Sequence, residues 1–123
     1  MTSYAAGADT TPLLEETIGH NFERTASAHP DVEALVDVPS GRRWTYAELD
    51  AEIDVVARAL MGSGLRQGDR VGIWAPNRSE WRLPQFGTAR IGAVLVNINP
   101  AYQSAELEYA LNKVECKVLI LAP

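Results

Sequence analysis

Three short apolar runs, RVGIW (70–74), VLVNI (94–98) and KVLIL (117–121), are each followed, one residue later, by a proline, and a helical pattern fills both gaps between them. No other feature constrains the fold as strongly. Proline has no N–H for the next rung of a ladder, so Pro76, Pro100 and Pro123 stop the runs sharply. Ser79 is placed to cap a helix running to about Arg90, and Ser104 one running to about Val114. Glu106 near the start of the second helix and Lys113 near its end suit the helix dipole. The last two runs are apolar almost continuously, as in parallel strands covered by helices on both faces. The expectation is a βαβαβ unit with right-handed crossovers. One local rule is broken. Pro84 falls about five residues into the helix that Ser79 would open, so either that helix begins near Leu83 or its first turn is distorted.

The residues ahead of this unit read as a helix and a hairpin. Positions 1–16 are small and polar, and are expected to form a flexible N-terminal tail. Positions 17–123 carry the folded elements, expected to be the first part of a larger domain. Thr17 can cap a short helix with Ile18, Phe22 and Ala26 on one face, closed by Pro30. ALVDV and RRWT read as two strands around the turn residues Pro39, Ser40 and Gly41. Thr45 and Glu48 form a capping box. The helix they open repeats Leu49, Ile53, Val56, Ala57 and Leu60 at spacings of three and four and ends near Gly62 and Gly64.

Charge narrows the partners. The formal net charge is −5 and no basic run appears, which argues against nucleic acid or an anionic membrane as the main partner, and with no Lys or Arg before Arg24 no secretory signal or transit peptide is expected. No apolar run has the length of a membrane span. A single cysteine, Cys116, rules out an intrachain disulfide, and the expected compartment is the cytoplasm.

If the three strands are parallel, their carboxyl ends share one edge of the sheet, the edge where open α/β sheets bind ligands. Asn77, Asn97, Asn99 and Tyr102 fall at or near that edge. The plainer account is that these asparagines satisfy loop backbone or cap the next helix. Other signals also have a plain account. Gly62, Gly64 and Gly68 come after a helix and before a strand, the reverse of a phosphate-cradling loop, and read as cap and turn residues. His20 and His29 lack partners at metal-ligand spacing and read as surface or capping residues. Cys116 has no activating base nearby and reads as a packed thiol. Trp44, Trp74 and Trp81 read as core.

WTYAELD (44–50), GLRQGDRVGIWAPNRSEW (64–81) and ARIGAVLVNINPAYQSAELEYALNKVECKVLIL (89–121) together resemble the opening of an acyl-CoA synthetase of the adenylate-forming, AMP-binding superfamily. TYAEL is similar to that family's first core motif and ARIGAVLVNINPAY to its second. The NINPAY…ELEYALNKV wording is similar to medium-chain fatty-acyl-CoA ligases. The resemblance implies an α/β fold: a parallel βαβαβ sheet layered with helices, preceded by a helix and a β-hairpin, as the N-terminal portion of a larger adenylate-forming domain. It implies a parent that activates a fatty acid with ATP and Mg²⁺ to an acyl-adenylate and transfers it to coenzyme A. The remainder of the ligase domain would then be the partner of this segment. The family's phosphate loop, adenine-stacking motif, ribose aspartate and C-terminal lysine have no counterpart here. No catalytic, cofactor-binding or metal residue is therefore assigned, and the chain alone is expected to bind no cofactor and to be inactive. Two other readings remain: a self-contained small α/β nucleotide-binding module, and a partner protein that pairs through a free sheet edge.

Overall fold

The computed structural model describes residues 3, 5–7 and 11–122. Pro123, the third of the strand-ending prolines, and part of the expected tail lie outside these. The elements run α1 (Ile18–Ala28), β1 (Glu33–Asp37), β2 (Arg42–Thr45), α2 (Tyr46–Gly62), β3 (Arg70–Trp74), a 3-10 turn (Ser79–Trp81), α3 (Arg82–Arg90), β4 (Val94–Asn97), α4 (Ser104–Lys113) and β5 (Cys116–Leu121). β1 and β2 form an antiparallel hairpin with Leu35 opposite Trp44. The other three strands form a parallel sheet in the order β4-β3-β5. Val71 stands beside Leu95 on one side and Val118 on the other. The α/β architecture and the βαβαβ order are those the alternation predicts.

Caps set the helix starts. Thr17 Oγ1 accepts from the His20 N–H at 3.2 Å. Thr45 Oγ1 accepts from the Glu48 N–H while the Glu48 carboxylate accepts from the Thr45 N–H, a complete capping box. Two expected caps are corrected. Ser79 does not cap a helix: it opens a 3-10 turn, and its hydroxyl turns to the neighbouring Glu80 carboxylate. Ser104 lies inside α4, whose cap position is Gln103, with the Glu106 carboxylate accepting from the Gln103 N–H at 2.7 Å. Pro84 explains the first correction. The α-helix proper starts at Arg82, which puts Pro84 in the first turn, where backbone N–H groups need no helical partner.

Burial is uneven across the sheet. Val71 and Ile73 of β3 are 0% and 2% exposed, beneath Leu60 and Leu65 and the half-buried Val56 and Ile91. A second cluster, Phe22, Ala26, Trp44, Leu49 and Ile53, joins α1 and α2 to the hairpin. Ile18, expected on the inner face of α1, is 66% exposed, and Gly19 is buried in its place. Arg90, at the end of α3, faces Glu23 of α1 (Nε–Oε1 3.2 Å) and Asp50 and Asp54 of α2 (2.5 and 3.6 Å). β4 and β5 flank β3 in the described sheet; their inner residues Leu95, Val96, Val118, Leu119 and Ile120 are half-buried, while Val94 and Leu121 at the strand ends are 48% and 56% exposed, and α4 contributes no fully buried residue.

Gly72 faces away from Val71 and shows how closely the second face is closed. A Cβ there would stand 3.0 Å from Cys116 Sγ, Ile98 Cδ1 and Leu119 Cδ1. Gly72→Ala is expected to cost about 1–3 kcal/mol by overpacking. Gly62→Ala, in open space at the end of α2, is expected to gain about 0.4–1 kcal/mol. Chemical denaturation of the two variants checks both signs.

Glu16 precedes α1 and accepts from Arg24 Nη2 at 2.7 Å and Asn21 Nδ2 at 2.6 Å. The Arg24 guanidinium, with Asn21, lowers the Glu16 carboxyl from its ordinary 4.5 to about 2. Its contribution to stability is complete above about pH 4.5 and is lost as pH falls towards 2. The melting temperature is expected to fall with acid across this window, and less steeply in Glu16→Gln.

Candidate functional site

The carboxyl edge of the sheet opens into a cavity of about 660 Å³ between the end of β4 and α4. Asn77, Asn97, Asn99 and Tyr102 all line it, so the fold gathers the four polar residues that the strand ends single out. They arrive from two loops: Asn77 follows β3, and the others follow or end β4. Val96 and Ile98 form the sheet side, Ala110 and Val114 the α4 side.

The asparagines have different work. Asn99 builds its own turn: its Oδ1 accepts from the Ala101 N–H at 3.0 Å, and its carbonyl accepts from the Tyr102 N–H and from Trp74 Nε1, both at 3.1 Å. This is the plain role expected of turn asparagines. Asn77 and Asn97 are exposed, and their amides bond to no other described side chain or backbone group.

The sequence reading missed part of the lining. Trp81 comes from the 3-10 turn, Tyr109 and Lys113 from α4. Lys113 Nζ donates to the Tyr109 hydroxyl at 3.2 Å and lies 5.4 Å from the ring centroid. Their i, i+4 spacing was the available signal, since it puts both on one helix face. The core reading holds for Trp44, 6% exposed under the Arg42 guanidinium at 4.2 Å. It fails for Trp74 and Trp81, which are half-buried at the carboxyl edge, with Trp81 Nε1 3.4 Å from the Ala75 carbonyl. Both lie where the chain leaves β3, one at the strand's last residue and one in the turn that follows.

The remaining candidates fall elsewhere. Gly64 and Gly68 take positive φ, 86° and 83°, in the connection from α2 to β3. The exposed His20 lies in the first turn of α1 and the exposed His29 at its C-terminal cap. Cys116 is half-buried; its Sγ accepts from the Gly72 N–H at 3.1 Å and donates to the Val118 carbonyl at 3.0 Å. On the opposite, amino edge, Lys117 pairs with Asp69 at 2.7 Å, which lowers the Asp69 carboxyl, helped by the Arg66 N–H. The cavity thus offers amides, phenols, an indole and one ammonium. It pairs no nucleophile with a base. Among the described residues no three His, Cys, Asp or Glu side chains gather to hold a metal. No glycine of positive φ follows a strand into a helix there. These residues do not fit the phosphates of ATP or its Mg²⁺, and no chemical step is derived through them.

The fold and the strand-end motifs nevertheless define a class. The AMP-binding enzyme family matches residues 22–123, and the chain belongs to that family. It is 48% identical over 118 residues to the medium-chain acyl-CoA ligase ACSF2, mitochondrial, of Macaca fascicularis, covering 96% of this chain and 19% of that protein. It is 46% identical over 109 residues to the putative acyl-CoA synthetase YngI of Bacillus subtilis strain 168, covering 89% of this chain and 20% of that protein. Among solved structures, the N-terminal domain of FACL13 from Mycobacterium tuberculosis superposes with a TM-score of 0.83 at 32% identity, covering 86% of this chain and 27% of that one. The chain thus spans about a fifth of the length of these curated relatives.

Asn99→Ala is expected to lose about 1 kcal/mol through its turn, while Asn77→Ala and Asn97→Ala stay within about 0.5 kcal/mol of the parent. Urea denaturation of the three variants distinguishes turn-building asparagine from free lining.

Proposed function

We propose that this chain forms part of an ATP-dependent, AMP-forming acyl-CoA ligase acting on fatty acids. The observation that carries the reading is the 48% identity, across 96% of the chain, to a protein named as a medium-chain acyl-CoA ligase. In the whole enzyme a fatty-acid carboxylate oxygen attacks the α-phosphorus of ATP, and pyrophosphate leaves. The coenzyme A thiol then attacks the acyl carbon, AMP leaves, and a thioester remains. Mg²⁺ and cationic donors would offset the charge growing on phosphate. Residues outside this chain would supply those groups.

The role of this segment is architectural. It supplies three parallel strands, their helical cover and a polar carboxyl edge, with β4 and β5 flanking β3 in the described sheet. On this reading the rest of the ligase domain packs beside them, and the segment by itself is inactive. A cytoplasmic setting is part of the proposal and rests on the sequence alone.

The test is pyrophosphate release by the whole protein with octanoate, ATP, Mg²⁺ and coenzyme A. One pyrophosphate and one octanoyl-CoA per turnover are expected, and none from the 123-residue chain alone. A whole protein that releases no pyrophosphate with any fatty acid overturns the ligase reading. Release by the isolated chain overturns the architectural one.

A further inference from the structure

We propose that the amino edge of the sheet is a register lock: Asp69 and Arg70, where β3 begins, grip residues 114–117, hold a β-bulge at Lys117, and so decide which face each later residue of β5 presents. The bulge is visible in the pairing. Arg70 stands beside Cys116, but the next residue, Val71, stands beside Val118, so Lys117 is an extra residue in β5. Bulges are uncommon between parallel strands, and one extra residue turns every later side chain to the other face. The effect shows at Gly72, where a Cβ would meet both Cys116 Sγ and Leu119 Cδ1 at 3.0 Å. In a regular strand, residues three apart point to opposite faces. The extra residue puts these two on the same one.

Apolar periodicity cannot choose this register. Residues 118–121, Val-Leu-Ile-Leu, are apolar at every position, so either parity offers apolar side chains to both faces. The polar contacts can choose it. Arg70 donates from Nε to the Val114 carbonyl at 2.6 Å and from Nη2 to the Glu115 carboxylate. These contacts hold Glu115 at φ 51°, in the left-handed region that favours glycine. The Cys116 thiol is seated between the Gly72 N–H at 3.1 Å and the Val118 carbonyl at 3.0 Å. Lys117 Nζ meets Asp69 Oδ1 at 2.7 Å, and Asp69 Oδ2 accepts from the Arg66 N–H at 2.8 Å. Without the bulge Lys117 would stand beside Val71, which is 0% exposed, and its ammonium would be drawn out of water. With the bulge, Val118 and Ile120 join the Leu60, Leu65 and Val71 cluster. Ile120, Leu121 and Ala122 then meet Ala75 and Trp81 around a carboxyl-edge cavity of about 310 Å³. Charges at one edge of the sheet thus set the lining of the other.

The inference is independent of the ligase reading, since it is read by labelling and structure and not by turnover. The experiment is N-ethylmaleimide labelling of Cys116 in the full-length protein that contains this chain, followed by peptide mass spectrometry, with crystal structures of the variants. Cys116 reacts when its segment opens. Arg70→Gln and Lys117→Met should each raise its labelling rate about tenfold, as loss of a charge-assisted bond implies. Arg70→Lys, which keeps the charge but not the planar fork, should fall between. Arg58→Gln breaks an exposed ion pair of α2 and, as the control, should leave the rate unchanged. The double variant Arg70→Gln/Lys117→Met should lose the bulge, with residue 117 beside Val71 in its crystal structure. Lys117→Met, which keeps the stem of the side chain, decides alone should Arg70→Gln not fold. An unchanged rate in Lys117→Met, an equal rise in Arg58→Gln, or a retained bulge in the double variant would each overturn the proposal.

Discussion

The structure depends on how β3 is buried. A central parallel strand has hydrogen-bonded neighbours on both sides, so its two faces alone decide whether it meets water. On one face Val71 and Ile73 lie under α2 and α3, almost wholly removed from solvent. On the other, Gly72 allows Ile98, Leu119 and Cys116 to close over the strand backbone. α4 contributes no fully buried residue. The carboxyl-edge cavity is the space between this lightly seated helix and β4.

The helical layer over β3 is held by packing and by one shared charge. Gly87 lets α3 approach α2 closely, since a Cβ there would stand 3.2 Å from Val56 Cγ1. At the end of α3, Arg90 is 15% exposed among three carboxylates from α1 and α2. A cation so removed from water is stable only with such partners. Arg90 thus ties the end of α3 to α1 and α2, four residues before β4 begins.

Much of this was legible in the chain. The capping box at Thr45 and Glu48, the inner face of α2 and all three parallel strands follow from patterns within a dozen residues. So does the gathering of Asn77, Asn97, Asn99 and Tyr102, because parallel strands must place their carboxyl ends together. The misses have a common cause. Ser79 has the chemistry of a cap, but Pro84 moves the helix start to Arg82. Trp74 and Trp81 have the composition of core, but both are half-buried at the carboxyl edge of the sheet. The contribution of Trp81, Tyr109 and Lys113 to one cavity depends on where two separate segments meet.

By itself the sequence determined the order and type of the elements, the turns that separate them and the family to which the chain belongs, because each is written in local spacing and residue chemistry. The tertiary structure alone decided that β3 is the central strand of the described sheet, that Arg90 meets carboxylates of α1 and α2, and that Trp81, Tyr109 and Lys113 line one cavity. Strand order, cavity lining and charge pairing are set by contacts between residues far apart in the chain, and local periodicity carries no record of them.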